Sequence, residues 1–263
     1  MPVIVSQRSP ARSVLKWHRS GLNQSGPHVS TTSRSDSEGS TRLPRLVVSL
    51  ATYNEAGNMV PLVREQLPDV HVIHRSGKLG LGTAILEAMR FAIREGYDQL
   101  LNLDADFSHP PRFIPDLLAG MDRFDVMIGS RYVPGGGVDS ALFNTKRKLM
   151  SWGINTYARL LLGLPSKDNS GSYRCYRVSK LAEMDLDRVR SRGYSFMEEI
   201  LYWCRLVGCR IGETPIIFED RRAGKSKINT LEVIRALEVI LRLALSRPFH
   251  RRPSRSQSPA LRV

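Results

Sequence analysis

Gln99-Leu100-Leu101-Asn102-Leu103-Asp104-Ala105-Asp106 is an apolar run that gives way abruptly to two carboxylates one residue apart. Its length suits a buried strand rather than a helix. Phe107-Ser108-His109-Pro110-Pro111 then turns the chain sharply, as paired prolines after a serine require. Before the run, Ile85, Ala88, Met89, Ala92 and Ile93 recur at helical spacing and Gly96 is placed to end the helix. After it, a helical stretch from Arg112 to Met121 leads to another short apolar strand, Val126 to Gly129. Strand, helix and strand in alternation predict an α/β fold. In such a fold a mainly parallel sheet carries helices on both faces, and the ligand crevice lies beyond the carboxyl ends of the strands.

The same alternation extends outward. Leu46 to Ala51 is a β-branched run ended by the polar Thr52-Tyr53-Asn54-Glu55, a helix is expected from Asn58 to Leu67, and Val70 to His74 reads as a further strand. Later helices are expected over Lys146 to Leu162 with Gly163 behind it, over Ser195 to Val207 with Gly208 behind it, and from Asn229, where Glu232 completes a capping box. Residues 45–246 therefore form one domain. Residues 1–44 are rich in Ser, Arg, Thr and Gly and are expected to be a disordered basic tail, as are residues 247–263.

Of the net charge of +14, the first 44 residues contribute six Lys/Arg against two acids and the last 17 contribute five Arg and no acid. Basic tails suit anionic membranes or phosphate-bearing substrates. They do not make a nucleic-acid protein, because no aromatic residues are interleaved on a basic face, so no nucleic-acid partner is expected. Three cysteines, Cys175, Cys204 and Cys209, fit neither a disulfide framework nor metal spacing and point to a reducing compartment. No uninterrupted apolar stretch reaches membrane-spanning length and no secretory signal opens the chain. A cytoplasmic protein, peripheral at a membrane, is expected.

Asp104 and Asp106 stand where the sheet should open onto its crevice. Hard divalent ions take oxygen ligands and favour one or two carboxylates plus substrate phosphates, so this pair suits a metal-diphosphate site. His109 has no partner at metal-binding spacing and reads as a turn residue rather than a ligand. Gly129-Ser130-Arg131-Tyr132 ends a second strand with the opposite charge, a guanidinium able to fork onto a phosphate or to form a salt bridge. Arg147 and the run Arg221 to Lys227 add further cations. Gly77-Lys78-Leu79-Gly80-Leu81-Gly82 has the lysine too early for a phosphate loop and lacks the third glycine of a dinucleotide turn; it reads as a strand-to-helix turn close to the donor.

In chain order, Thr52-Tyr53-Asn54-Glu55, Gly77 to Ala84, Asp104-Ala105-Asp106, Gly129 to Tyr132, Asp168-Asn169-Ser170-Gly171-Ser172-Tyr173-Arg174, Gly193 to Glu199 and Arg221 to Lys227 resemble the motif series of dolichol-phosphate and polyprenol-phosphate mannose synthases, members of glycosyltransferase family 2. The resemblance covers residues 45–245. It implies a GT-A fold, a Mg or Mn ion, and inverting transfer of mannose from GDP-mannose to a polyprenyl phosphate at an anionic membrane surface. It assigns Tyr53, Glu55, Asp104, Ala105, Asp106 and Arg221 to the donor, Asp104 and Asp106 to the metal, and Arg131, Arg147 and Ser151 to the acceptor phosphate. Asp104, Asp106, Arg131 and Glu199 would be catalytic.

The sequence departs from the family in three places. Met197 replaces the glutamine of a Gln-x-Glu pair, and Ser108 stands where relatives often carry a metal-binding Gln. Between Leu67 and Val70, a strand ending in Asp-Asp is missing, so the sheet is expected to be one strand-helix unit short, with Val70 to His74 closing against Leu46 to Ala51. A catalytically impaired or non-catalytic relative, and glucosyl transfer from UDP-glucose, stand as alternatives.

Overall fold

The computed structural model describes residues 3–7, 44–51, 70–73, 77, 79–139, 145–219 and 230–246. Strands β1 (Val3–Gln7), β2 (Leu46–Ala51), β3 (Val70–Ile73), β4 (Gln99–Asp104), β5 (Val126–Ser130), β7 (Arg174–Arg177) and β8 (Ile211–Pro215) make a seven-stranded sheet in the order β3-β1-β2-β4-β7-β5-β8. β6 (Gly137–Asp139) and β9 (Ile217–Glu219) pair separately beside it. Helices are α1 (Leu81–Arg94), α2 (Ile114–Gly120), α3 (Thr145–Leu162), α4 (Val178–Ala182), α5 (Phe196–Leu206) and α6 (Thr230–Ser246). Only β1 and β7 run against the other five strands, so the mainly parallel α/β sheet expected from the alternation is present.

Register explains the layering. Val47, Leu100, Tyr176 and Val126 are cross-strand partners and face one core, covered by α1, α3, α5 and α6. One residue along, Val48, Leu101, Cys175 and Met127 face the other, covered by α2. A period of two along every strand divides the apolar residues between two helical layers, and each fully buried Leu or Val contributes about 1.5–3 kcal/mol. Gly96, Gly163 and Gly208 follow their helices with positive φ, as expected. The helix expected over Asn58 to Leu67 and the cap residue Asn229 lie outside the described residues.

The amino-terminal segment corrects the sequence reading. Val3–Gln7 is not tail but a strand lying between β2 and β3, antiparallel to both. β3 consequently does not close against β2. A slot with an unpaired edge on each side leaves two rows of backbone donors and acceptors unsatisfied, and the β-branched Val3-Ile4-Val5 is the kind of segment that fills it.

Candidate functional site

Four strands end in one row: Ile73 pairs with Val3, Val3 with Ala51, and Ala51 with Asp104. The carboxylate of Asp104 thus stands at the crevice, about one-third exposed. Beyond it the chain turns through Phe107, whose φ of 64° is unusual for a residue with a side chain. Asp106 is nearly buried, and its Oδ1 accepts from both the backbone N–H and the hydroxyl of Ser108, an Asx-type turn that fixes the bend.

His109 braces the strand end. The Asp104 backbone N–H donates to His109 Nδ1 at 3.1 Å, so that nitrogen carries no proton. The ring is buried against Tyr173 and Phe218, with centroids 4.9 and 5.4 Å away. Burial holds its pKa below the ordinary histidine value despite Asp104 and Asp106 nearby. The 3.8 Å approach of Asp104 Oδ2 to Nδ1 is therefore a contact with a neutral ring rather than an ion pair. As expected, His109 is a turn residue.

Loop residues 166–172 tie the acid to the arginine. Ser172 Oγ donates to Asp104 Oδ1 at 2.8 Å. Asp168 takes Arg131 in a fork, Nε to Oδ2 and Nη2 to Oδ1, both at 2.7 Å, and also accepts the Arg131 backbone N–H at 3.0 Å. Burial alone would lower the Arg131 pKa, but Asp168 more than offsets it and holds the guanidinium above its ordinary value; Arg131 in turn keeps Asp168 below the usual carboxylate range against its own burial. The salt-bridge reading of Arg131 is the one found, though with a buried loop carboxylate. Its Nη1 makes no hydrogen bond among the described residues, and its plane lies beside Tyr132 and Phe218.

Helix α3 holds this loop from behind. Asn155 Oδ1 accepts from the backbone N–H groups of Asn169 and Ser170, and its Nδ2 donates to Ser170 Oγ and to the Ser151 carbonyl. The Tyr132 hydroxyl donates to Ser151 Oγ at 2.7 Å. Arg174, wholly buried, donates to the carbonyls of Asn169 and Met197 and so pins the loop to α5. Ala105 is buried in the turn.

The structure thus brings Asp104, Arg131 and Ser151 into one network through the loop, with Asp106 bonded to Ser108 in the adjoining turn. Glu199 is elsewhere: its carboxylate accepts from the backbone N–H groups of Arg190 and Ser191 and lies 3.8 Å from Arg242 of α6. Its neighbour Glu198 is the acid that interacts electrostatically with Arg174, Asp168 and Arg131, and burial pushes its pKa up to about 7. Arg147 lies in the first turn of α3, with its side chain outside the described residues, as are Tyr53, Glu55 and Arg221. The glycine turn before α1 does permit a close approach, but to protein: Gly80 has φ +99° and a Cβ there would come within 2.2 Å of the Arg192 carbonyl. Asp168, Ser172, Asn155 and His109 were given no site role in the sequence reading. The signal available was the uninterrupted polar run Asp168 to Ser172 between a helix and a strand.

Among the described residues no cluster of three or more His, Cys, Asp or Glu could enclose a metal ion. The two acids of the turn fit a hard cation that takes its remaining ligands from water and phosphate.

Comparison with known proteins gives these geometries a family. Residues 51–185 match the family described as glycosyl transferase family 2. The chain is 40% identical over 184 residues to the undecaprenyl-phosphate mannosyltransferase of Micrococcus luteus, covering 70% of this chain and 75% of that protein. It is also 40% identical over 172 residues to the polyprenol monophosphomannose synthase of Mycolicibacterium smegmatis, covering 65% of this chain and 64% of that one. Among solved structures, a mycobacterial protein aligns at 15% identity over 76% of this chain and 63% of that chain, with a TM-score of 0.48. Glucosyl-3-phosphoglycerate synthase from Mycobacterium tuberculosis, in complex with Mn2+, UDP-glucose and glycerol 3-phosphate, aligns at 13% over 63% of this chain and 55% of that chain, with a TM-score of 0.42. With a family match over half its length and a relative sharing two residues in five, this chain belongs to glycosyl transferase family 2.

Proposed function

We propose that this chain transfers mannose from GDP-mannose to a polyprenyl phosphate with inversion. The observation that carries the reading is a single loop that holds the strand-end acid Asp104 through Ser172 and the strand-end cation Arg131 through Asp168. A reaction joining an activated sugar diphosphate to a phosphate monoester needs both charges fixed in one crevice. The names of the two relatives, an undecaprenyl-phosphate mannosyltransferase and a polyprenol monophosphomannose synthase, support transfer of mannose to a polyprenyl phosphate.

The acceptor needs little activation, since a phosphate monoester with a second pKa of about 6 is already mostly dianionic near neutrality. No strong general base is required. Asp104 and Asp106 would hold a Mg or Mn ion, which supplies charge neutralisation to the departing diphosphate. The residues of the chain then position. Ser108 fixes the Asp106 carboxylate, His109 fixes the backbone of Asp104 without adding charge, and Asp168 orients Arg131 so that its uncommitted Nη1 is available to the acceptor phosphate beside Ser151. Arg147 and Arg221 are assigned to acceptor and donor phosphates and Tyr53, Glu55 and Ala105 to the donor, while Glu199, away from that network, holds the chain at Arg190 and Ser191.

The acceptor lives in a bilayer, and two helices support an approach to one. α3 packs against α6. α3 exposes Leu149, Trp152 and Leu160, and α6 exposes Ile234, Leu237, Leu241 and Leu245, while its Ala236, Ile240 and Leu243 face the core. Beside that stripe lies a cavity of about 350 Å3 lined by Arg192, Arg235 and Arg242 together with Glu232 and Glu238, where Arg235 already pairs with Glu232. No described helix is long and apolar enough to cross a membrane.

The test is transfer of labelled mannose from GDP-mannose to a short-chain polyprenyl phosphate in the presence of Mn, with UDP-glucose as the competing donor. Chloroform-soluble label only with GDP-mannose and acceptor together supports the reading. Label from UDP-glucose alone, or none from either donor, overturns it.

A further inference from the structure

The amino-terminal strand is tied to the rest of the sheet in an unusual way. β1 pairs along its whole length with β2, Val3 with Ala51 through Gln7 with Val47, and on its other edge with β3, Val3 with Ile73 through Ser6 with Val70. Gln7 and Val47 are directly opposite, and two residues suffice to join antiparallel neighbours at such a point. The chain instead spends residues 8–45 on that connection. β1 is therefore joined to β2 not by a tight hairpin turn but across thirty-eight intervening residues.

β3 depends on it. In the sheet order β3 stands at the edge, and its only sheet neighbour among the described residues is β1. Ile73, Val3, Ala51 and Asp104 end in one row, so removing β1 detaches the wall of the crevice on the far side of β2 from the strand-end acid. The chain that continues from β3 reaches Gly80 and Gly82, which pack against Ser191 and Arg192, with Gly82 N–H bonded to the Arg192 carbonyl at 2.8 Å.

We infer that Val3–Gln7 is an inserted strand that completes the catalytic sheet and positions the donor side of the crevice. It is a functional part of the domain rather than an appendage to it. Strand insertion of this kind relies on main-chain pairing on both edges, so its effect follows backbone capacity more than side-chain identity. The statement about the donor rests on the function proposed above; the statement about the sheet does not.

The experiment compares four proteins by hydrogen exchange and by transfer kinetics. They are the parent, a deletion of residues 1–8, Val5→Pro, and a variant in which residues 14–38 are replaced by a short Gly-Ser linker that leaves β1 intact. Val5→Pro removes one ladder N–H from the middle of the strand. Amides of Val70–Ile73 are expected to exchange at least tenfold faster in the deletion and in Val5→Pro than in the parent, with the linker variant unchanged. A synthetic peptide spanning Met1–Arg8, at millimolar concentration, is expected to restore protection to the deletion variant. Where transfer is measurable, the donor KM should rise severalfold in both strand variants with kcat little changed. Parental exchange at Val70–Ile73 in Val5→Pro, or no recovery of the deletion variant with peptide, overturns the inference. Absence of transfer in every protein, with the exchange pattern as expected, overturns the proposed function and leaves the strand's role standing.

Discussion

Replacing Asp168 with alanine removes the one carboxylate on which the arginine end of the site rests. Asp168 has no exposed surface and the Arg131 side chain keeps about a tenth of its own, so the pair is desolvated almost completely. The carboxylate accepts from Arg131 Nε, Nη2 and backbone N–H and from the Gly171 N–H, at 2.7 to 3.0 Å. Alanine strands a buried guanidinium, and breaking such a pair from one side costs about 3–5 kcal/mol. Because Arg131 retains a sliver of solvent contact, the lower figure applies. For a domain of this size that is a fall in Tm of roughly 6–12 °C.

Thermal and urea unfolding of Asp168→Ala, Arg131→Ala and the double variant measure it. The double variant should be less destabilised than the two single losses summed, by about 1–3 kcal/mol, because the second deletion removes the stranded partner. pH adds an independent check. The folded pKa of Asp168 is lowered, so its contribution is present above its unfolded pKa of about 3.9 and disappears as pH falls through the folded value. The gap between parent and variant should be flat from pH 7 to 5 and close only below about 4. A loss under 1 kcal/mol at pH 7, or strict additivity in the double variant, refutes the reasoning.

Asp106→Ala should abolish metal-dependent transfer and cost about 1–3 kcal/mol of stability through the lost Ser108 bonds; retained activity in a Mn titration would remove the metal role. Arg147→Ala should raise the acceptor KM severalfold and leave the donor KM near the parental value, and equal shifts in both would count against an acceptor role. Glu198 has its folded pKa raised by burial to about 7, so the stability it contributes is full below the unfolded value of about 4.3 and is lost as pH rises through 7. Glu198→Gln should flatten that decline between pH 5 and 8 in unfolding curves. A double variant, Trp152→Glu with Leu241→Glu, should weaken sedimentation with anionic liposomes while shifting Tm little, because both side chains are about half exposed; unchanged sedimentation would count against membrane contact through this face.

The sheet was legible because hydrophobic period and punctuation agree. Leu100 and Leu101 face opposite cores, as alternation demands, and Gly96, Gly163 and Gly208 follow the helices they were expected to end. The placement of Asp104 was legible for a related reason, since an apolar strand that stops at an acid in a parallel sheet has only the crevice to open into, whereas Asp106 is nearly buried and held by Ser108. What escaped was whatever depends on partners distant in sequence. Arg131 read as a cation for phosphate or for a salt bridge, but its partner Asp168, thirty-seven positions away, was not named. Spacing cannot announce such a pairing. Glu198 and Glu199 are adjacent on α5, yet one faces the arginine cluster and the other holds the backbone at Arg190, a choice made by helix rotation rather than by residue type.

β1 was missed for a deeper reason. Val3-Ile4-Val5 is a good strand sequence, but composition averaged over residues 1–44 reads as tail, and a short strand is stable only where a sheet edge awaits it. Recognising that a strand was missing after Leu67 and recognising that Val3–Gln7 was free to pair are two halves of one inference. Each edge of the slot requires a partner for its backbone groups, and the requirement sets strand character without setting direction. The segment that meets it runs antiparallel to a sheet otherwise mostly parallel, with Gln7 opposite Val47 and Val3 opposite Ala51. The crevice therefore keeps its wall by main-chain pairing, while Asp104 at the end of β4 and Arg131 just past β5 are held by the loop of residues 166–172.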